Sequence, residues 1–191
     1  METYVPFYRA FDCYTKHCWV GRATALVTQL IVLPLSTAFG FDTFCMHTLG
    51  MYILHDSLHC ALYEKDAMTW IHHVATLGGY MYIFWAPADI VHLMVVATML
   101  LESTSPLIQV CWFVNKSGYS GAKWFPYLAG ATLLMYLVVR CIYFPYFVFL
   151  HLPGYSKLLG AVFTALNWMW FYKLIGYAQN VLKKSGSARL E

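Results

Sequence analysis

Six apolar blocks, each too long for a water-soluble helix to bury on one face, constrain this chain more than any other feature. They fall at about 22–41, 43–63, 68–85, 88–114, 125–149 and 158–181. A helix needs roughly 20 mostly apolar residues to cross a bilayer, and each block meets or approaches that length. The blocks are apolar on every face and outrun the roughly 10 alternating residues of a membrane strand, which excludes a barrel. Composition agrees, with 60% hydrophobic and 11% charged residues, where soluble domains carry about 25% charged. The expected fold is all-α: a polytopic bundle of about six transmembrane helices. Residues 1–21 form an expected interfacial amphipathic segment, 22–182 the transmembrane domain and 183–191 a polar tail. No basic, apolar and small-residue series opens the chain as in a cleavable signal peptide.

The twelve Lys and Arg residues set an expected orientation, because cytoplasmic loops hold the excess of positive charge. Arg9, Lys16, Arg22, Lys65, Lys116, Lys123, Lys183, Lys184 and Arg189 fall on one side, against Lys157 on the other. Both termini are therefore expected in the cytosol. The net charge of +3 reports this topology, and nucleic acid is not implied. Six scattered cysteines without CxxC spacing read as reduced packing residues.

Pro34, Pro106 and Pro145 lie inside apolar blocks. Each frees a backbone carbonyl and bends its helix, which a membrane tolerates where protein or water satisfies the freed group. The fourth block is expected to open near Ser103 to Pro106.

Ionisable residues inside a bilayer cost roughly 2.5–3.5 kcal/mol each on insertion scales, so they face an interior or a cavity. This chain carries Asp56 with flanking His55 and His59, then His72 and His73, then Glu102, with Arg140 and Lys173 as basic counterparts. The second and third blocks are joined by the short turn Glu64, Lys65, Asp66. A tight antiparallel hairpin follows, which brings Asp56 to the depth of the histidine pair. Such a pairing suits a carboxylate-oriented histidine acting as base or nucleophile. Adjacent helical residues sit about 100° apart, so His72 and His73 must do different jobs. Glu102 has two readings: it pairs with Lys173 or Arg140 and locks helices together, or it lines a lipid headgroup cavity.

Together these segments resemble the TLC family of multi-pass endoplasmic reticulum proteins, which includes ceramide synthases and smaller members of lipid homeostasis. The resemblance runs along most of the chain: Trp19 to Arg22 (WVGR), Tyr52 to Leu58 (YILHDSL), Trp70 to Leu77 (WIHHVATL), Leu100 to Pro106 followed by Trp112 and Phe113, Val139 to Pro145, and Asn167 to Lys173. It implies catalytic roles for His72, His73 and Asp56, in acyl transfer from acyl-CoA to a sphingoid base. With their intramembrane positions, it also implies lipid contacts for Glu102, Ser103, Arg22, Arg140, Asn167 and Lys173. Ceramide synthases carry a further His-Asp and another Asp at positions that fall near Met94, Val95 and Thr98 here. Those carboxylates are absent, and the likeness is closer to the small members.

Two functions compete on this reading. One is an endoplasmic reticulum protein of lipid metabolism or homeostasis, an acyltransferase with acyl-CoA as co-substrate and no bound cofactor. The other is a non-enzymatic module that senses or carries lipid or escorts cargo. Expected partners are membrane lipids, acyl-CoA, a sphingoid base and a second copy of the chain in a homodimer. His55 and His59 at HxxxH spacing raise a di-metal reading. The other histidines, His17, His47, His92 and His151, are dispersed singly, so no metal site is expected. No inverted repeat of the transporter kind appears.

Overall fold

The computed structural model describes residues 13–39, 42–63 and 67–187. Helix α1 (Cys13–Val27) continues through a π-helical turn, Thr28–Val32, into α2 (Leu33–Ala38). Helices α3 (Asp42–Tyr63) and α4 (Ala67–Ile83) follow, then α5 (Ala88–Glu102) and α6 (Ser105–Lys116). A single 3₁₀ turn, Tyr119–Gly121, leads to α7 (Phe125–Tyr136), a π-helical segment Leu137–Tyr143, α8 (Phe144–His151) and α9 (Gly154–Ser187). Since α1 with α2, α5 with α6, and α7 with α8 run end to end, the described residues form six rods.

Three rods, Ala88–Lys116, Phe125–His151 and Gly154–Asn180, are long and apolar enough to cross a membrane by length and composition. Helix α4, at 17 residues, rises about 26 Å, just under the roughly 30 Å hydrocarbon core.

Two helices run across the expected domain boundaries. No break separates 21 from 22, because α1 already runs through Cys13–Val27; residues 1–12 lie outside the described part. At the other end α9 continues to Ser187, so the polar tail from 183 begins as helix. The Glu64 to Asp66 turn also lies outside the described residues.

Each intramembrane proline accounts for one irregularity. A proline ring clashes with the carbonyl four residues back, at Leu30, Glu102 and Cys141 for Pro34, Pro106 and Pro145. Leu30 lies in the first π turn, Cys141 in the second, and Glu102 is the last residue of α5. Widening or opening the helix relieves the clash in each case.

The contacts close a ring: α3 packs on α4, α4 on α9, α9 on α7 and α8, α8 on α5, and α5 back on α3. The α1–α2 rod lies outside this ring against α3 and α6. Outward surfaces are apolar, with Leu58, Leu62, Val74, Leu158 and Tyr172 exposed, as lipid-facing surfaces must be. Where α9 meets α8, Gly160 lets the backbones approach. A Cβ there falls 2.5 Å from Val148 Cγ1, and Val148 is stiff and fully buried. Small residues at membrane helix interfaces serve this purpose. Gly160→Ala is expected to destabilise the bundle by about 1–3 kcal/mol through overpacking. Adding Val148→Ala should restore part of the loss, and melting curves of both variants in detergent check it.

Candidate functional site

The centre of the ring encloses a cavity of about 790 Å³, counted to its open mouth. Its wall is mostly apolar, with His72 from α4 and Glu102 from the end of α5 as its titratable groups besides Tyr80. His72 packs edge-on against Phe163 and Trp170 of α9, centroids 5.6 and 5.1 Å away. Its Nδ1 is buried without a hydrogen-bond partner. Buried polar atoms of this kind are uncommon and call for an explanation.

His73 turns away from that cavity toward α3. It is 2% exposed, with Nε2 3.6 Å from Asp56 Oδ2 and Nδ1 3.0 Å from Ser57 Oγ. Ser57 donates its own hydroxyl hydrogen to the Ile53 carbonyl at 2.7 Å, a bond back to i−4 within α3. Its oxygen is therefore left to accept, and the network assigns the hydrogen on His73 to Nδ1. Nε2 then faces Asp56, which is 35% exposed at its side chain. The two rings of the histidine pair sit at a 75° angle with centroids 5.4 Å apart. One histidine thus faces the cavity, while the other stands behind it in a fixed orientation.

The sequence grouped Asp56, His72, His73 and Glu102 around one pocket; the structure splits them. His72 and Glu102 share the cavity, whereas Asp56 and His73 pair at the α3–α4 seam. Glu102 takes neither of the basic partners proposed for it. It accepts a hydrogen bond from Gln29 Nε2 at 2.6 Å, because the π turn Thr28–Val32 carries Gln29 across to the opening between α5 and α6. Gln29 Oε1 stays buried without a partner.

Arg140 lies 8% exposed in the second π segment. It donates to Thr104 Oγ1 at 2.7 Å and to Ser105 Oγ at 2.6 Å, and lies 5.1 Å from the Tyr136 ring centroid. The proline break thus exposes two hydroxyls that a guanidinium bridges. Tyr136 in turn donates to Asn167 Oδ1 at 3.2 Å, and Asn167 Nδ2 is buried without a partner. These residues form a polar layer across α5, α6, α9 and the α7–α8 rod.

The remaining candidates lie elsewhere. Ser103 is exposed and donates to the Leu100 carbonyl at 2.8 Å. Lys173 is exposed on α9. Arg22 sits over the Trp112 ring at 4.7 Å and lines a different cavity, between α1, α6, α7 and α9. His55 is exposed, and the side chain of His59 lies outside the described residues. Among the described residues, no three His, Cys, Asp or Glu side chains gather as a metal site. Sequence reasoning missed Gln29, Ser57 and Gln109. The available signal was that each is a polar residue inside an apolar block, which membrane helices place inward.

The TLC domain family profile matches residues 3–176. The chain is 26% identical over 177 residues to TLC domain-containing protein 4 A of Dictyostelium discoideum, covering 85% of this chain and 64% of that protein. It therefore spans a little under two thirds of the length of this curated relative. No solved structure matches it.

Proposed function

The chain belongs to the TLC domain family, and from that premise we propose that it is a lipid-handling protein of the endoplasmic reticulum membrane, with both ends in the cytosol. The ring cavity holds a membrane lipid, with the polar head between Glu102 and His72 and the chain against apolar walls. One observation carries this reading. A mostly apolar intramembrane cavity is lined by a carboxylate, Glu102, and an imidazole, His72. Ligand pockets are of this kind: mostly apolar, with few convergent polar groups. A carboxylate at the head position favours an amine or a hydroxyl, as in a sphingoid base.

The chemistry that fits such a head is acyl transfer from acyl-CoA. The amine nitrogen attacks the thioester carbonyl, the carbon–sulfur bond breaks, and an amide and a free thiol result. The His72 imidazole accepts the amine proton and returns it to the departing thiolate. His73, held by Ser57 and Asp56, fixes the ring beside it.

A second reading has its own support. Met94 and Thr98 line the cavity, among the positions near which the resemblance puts a His-Asp pair and a further Asp in ceramide synthases. A cavity stripped of those acids suits holding or sensing lipid without chemistry, as a non-enzymatic module of lipid homeostasis.

Purified protein given acyl-CoA and a sphingoid base separates the two. If the site is catalytic, turnover is measurable and His72→Ala lowers it by about 10²-fold or more. If it only binds, no turnover appears, and Glu102→Gln reduces the amine lipid that co-purifies, quantified by mass spectrometry. Absence of turnover together with unchanged co-purifying lipid in Glu102→Gln and His72→Ala would sink the cavity reading itself.

A further inference from the structure

The second cavity, of about 680 Å³ counted to its open mouth, has the opposite electrostatic character from the first. Its charged lining residue is Arg22, and among the described residues no carboxylate lines it. Arg22 donates to Gln109 Oε1 at 2.7 Å and stacks over Trp112. Lys116 places its ammonium 5.9 Å from the same ring. Asn115 completes the polar end. The deeper walls are Ile108, Leu133 and Leu174, and from Asn115 to Ile108 the helix drops by about 10 Å.

The two cavities lie on either side of the Arg140 layer. Along three rods in turn, the first is lined by Glu102, Phe144 and Phe163 and the second by Ile108, Leu133 and Leu174. Between these positions on the same rods fall Thr104, Arg140 and Asn167, all buried. The second space is thus a separate compartment, closed at its apolar end by buried polar groups and basic at the other.

We infer that this compartment is a second lipid site, for an amphiphile with an anionic head on a single acyl chain. The head meets Arg22 and Asn115, and the chain lies against Ile108, Leu133 and Leu174 with its end toward the Arg140 layer. Basic pockets between membrane helices near one surface recognise anionic lipid heads. A guanidinium is suited to the planar oxygens of a carboxylate or phosphate because its donors form a rigid fork. Arg22 next to Trp112 gives the head an aromatic face as well as a charge.

The full-length protein in neutral detergent, melted with oleate, lysophosphatidate, lysophosphatidylcholine or inorganic phosphate below micellar concentrations, tests this. Oleate and lysophosphatidate should raise the melting temperature, while the zwitterionic lysolipid and bare phosphate leave it unchanged. A response to one anionic amphiphile and not the other identifies the head, carboxylate or phosphate. Arg22→Gln should weaken binding at least tenfold, and Arg22→Lys should retain part of it. Leu133→Trp, which fills the chain space without touching the head, should abolish it. Equal stabilisation by lysophosphatidylcholine, or by phosphate alone, overturns the proposal, as does unaltered binding in Arg22→Gln. Should that variant fail to fold, the lipid panel on the unaltered protein decides. The readout is binding to this compartment, so it stands or falls separately from any turnover at His72.

Discussion

Arg140→Ala is expected to lower the stability of the folded bundle by about 3 kcal/mol or more, the largest loss from a single charged residue here. Hydrogen bonds to charged groups contribute about 1.5–3 kcal/mol each, and Arg140 makes two, to Thr104 and Ser105. Thr104 is fully buried, so its hydroxyl cannot turn to water when the guanidinium leaves. Removing the side chain also opens space beside Tyr136 and leaves the break between α5 and α6 without its bridge. Arg140→Lys should recover only part of the loss, because an ammonium cannot present two donors in the same fork. Melting in detergent measures the single variants. A cycle with Ser105→Ala then isolates the bond across the break, with a coupling of roughly 1 kcal/mol expected. Arg140→Ala melting like the unaltered protein would show that the layer is not structural.

The bundle itself was legible because a bilayer leaves few choices. Long apolar blocks must become helices, and the prolines within them marked all three irregular segments in advance. What the sequence could not place was azimuth. A π turn shifts the helix face beyond it, so Gln29 reaches Glu102 and Arg140 lies buried next to Cys141, pairings that a constant 3.6-residue period does not give. The expected partners of Glu102 were basic residues because charge is visible in a sequence. The actual partner is an amide, chosen by geometry. His72 and His73 were separable from the outset, since neighbours on a helix diverge. Which of them faced the lumen of the ring depended on where α9 lies, and that is a long-range contact.

His73→Ala should cost about 3 kcal/mol of stability, and its effect on any chemistry must be read against that loss. The ring is almost wholly buried between α3 and α4, and truncating a large buried side chain typically costs a few kcal/mol through lost contacts and the cavity left behind. The hydrogen bond to Ser57 goes with it. Two milder substitutions separate packing from orientation. Ser57→Ala removes the acceptor at Nδ1 while keeping the ring, so stability should fall by only about 1 kcal/mol. The imidazole is then free to move its hydrogen to Nε2 and donate to Asp56, which ¹⁵N chemical shifts of the histidine ring would report. Asp56→Asn acts from the other side. With hydrogen on Nδ1, Nε2 and the carboxylate are two acceptors facing each other at 3.6 Å, without a hydrogen bond between them. An asparagine amide supplies one directly, so Asp56→Asn should leave the fold intact and hold the ring as it stands. If turnover exists, loss in Ser57→Ala with folding preserved would mean that His73 acts through its orientation. Full activity in both Ser57→Ala and Asp56→Asn would reduce the pair to a packing element of the α3–α4 seam, with His72 alone facing the lipid.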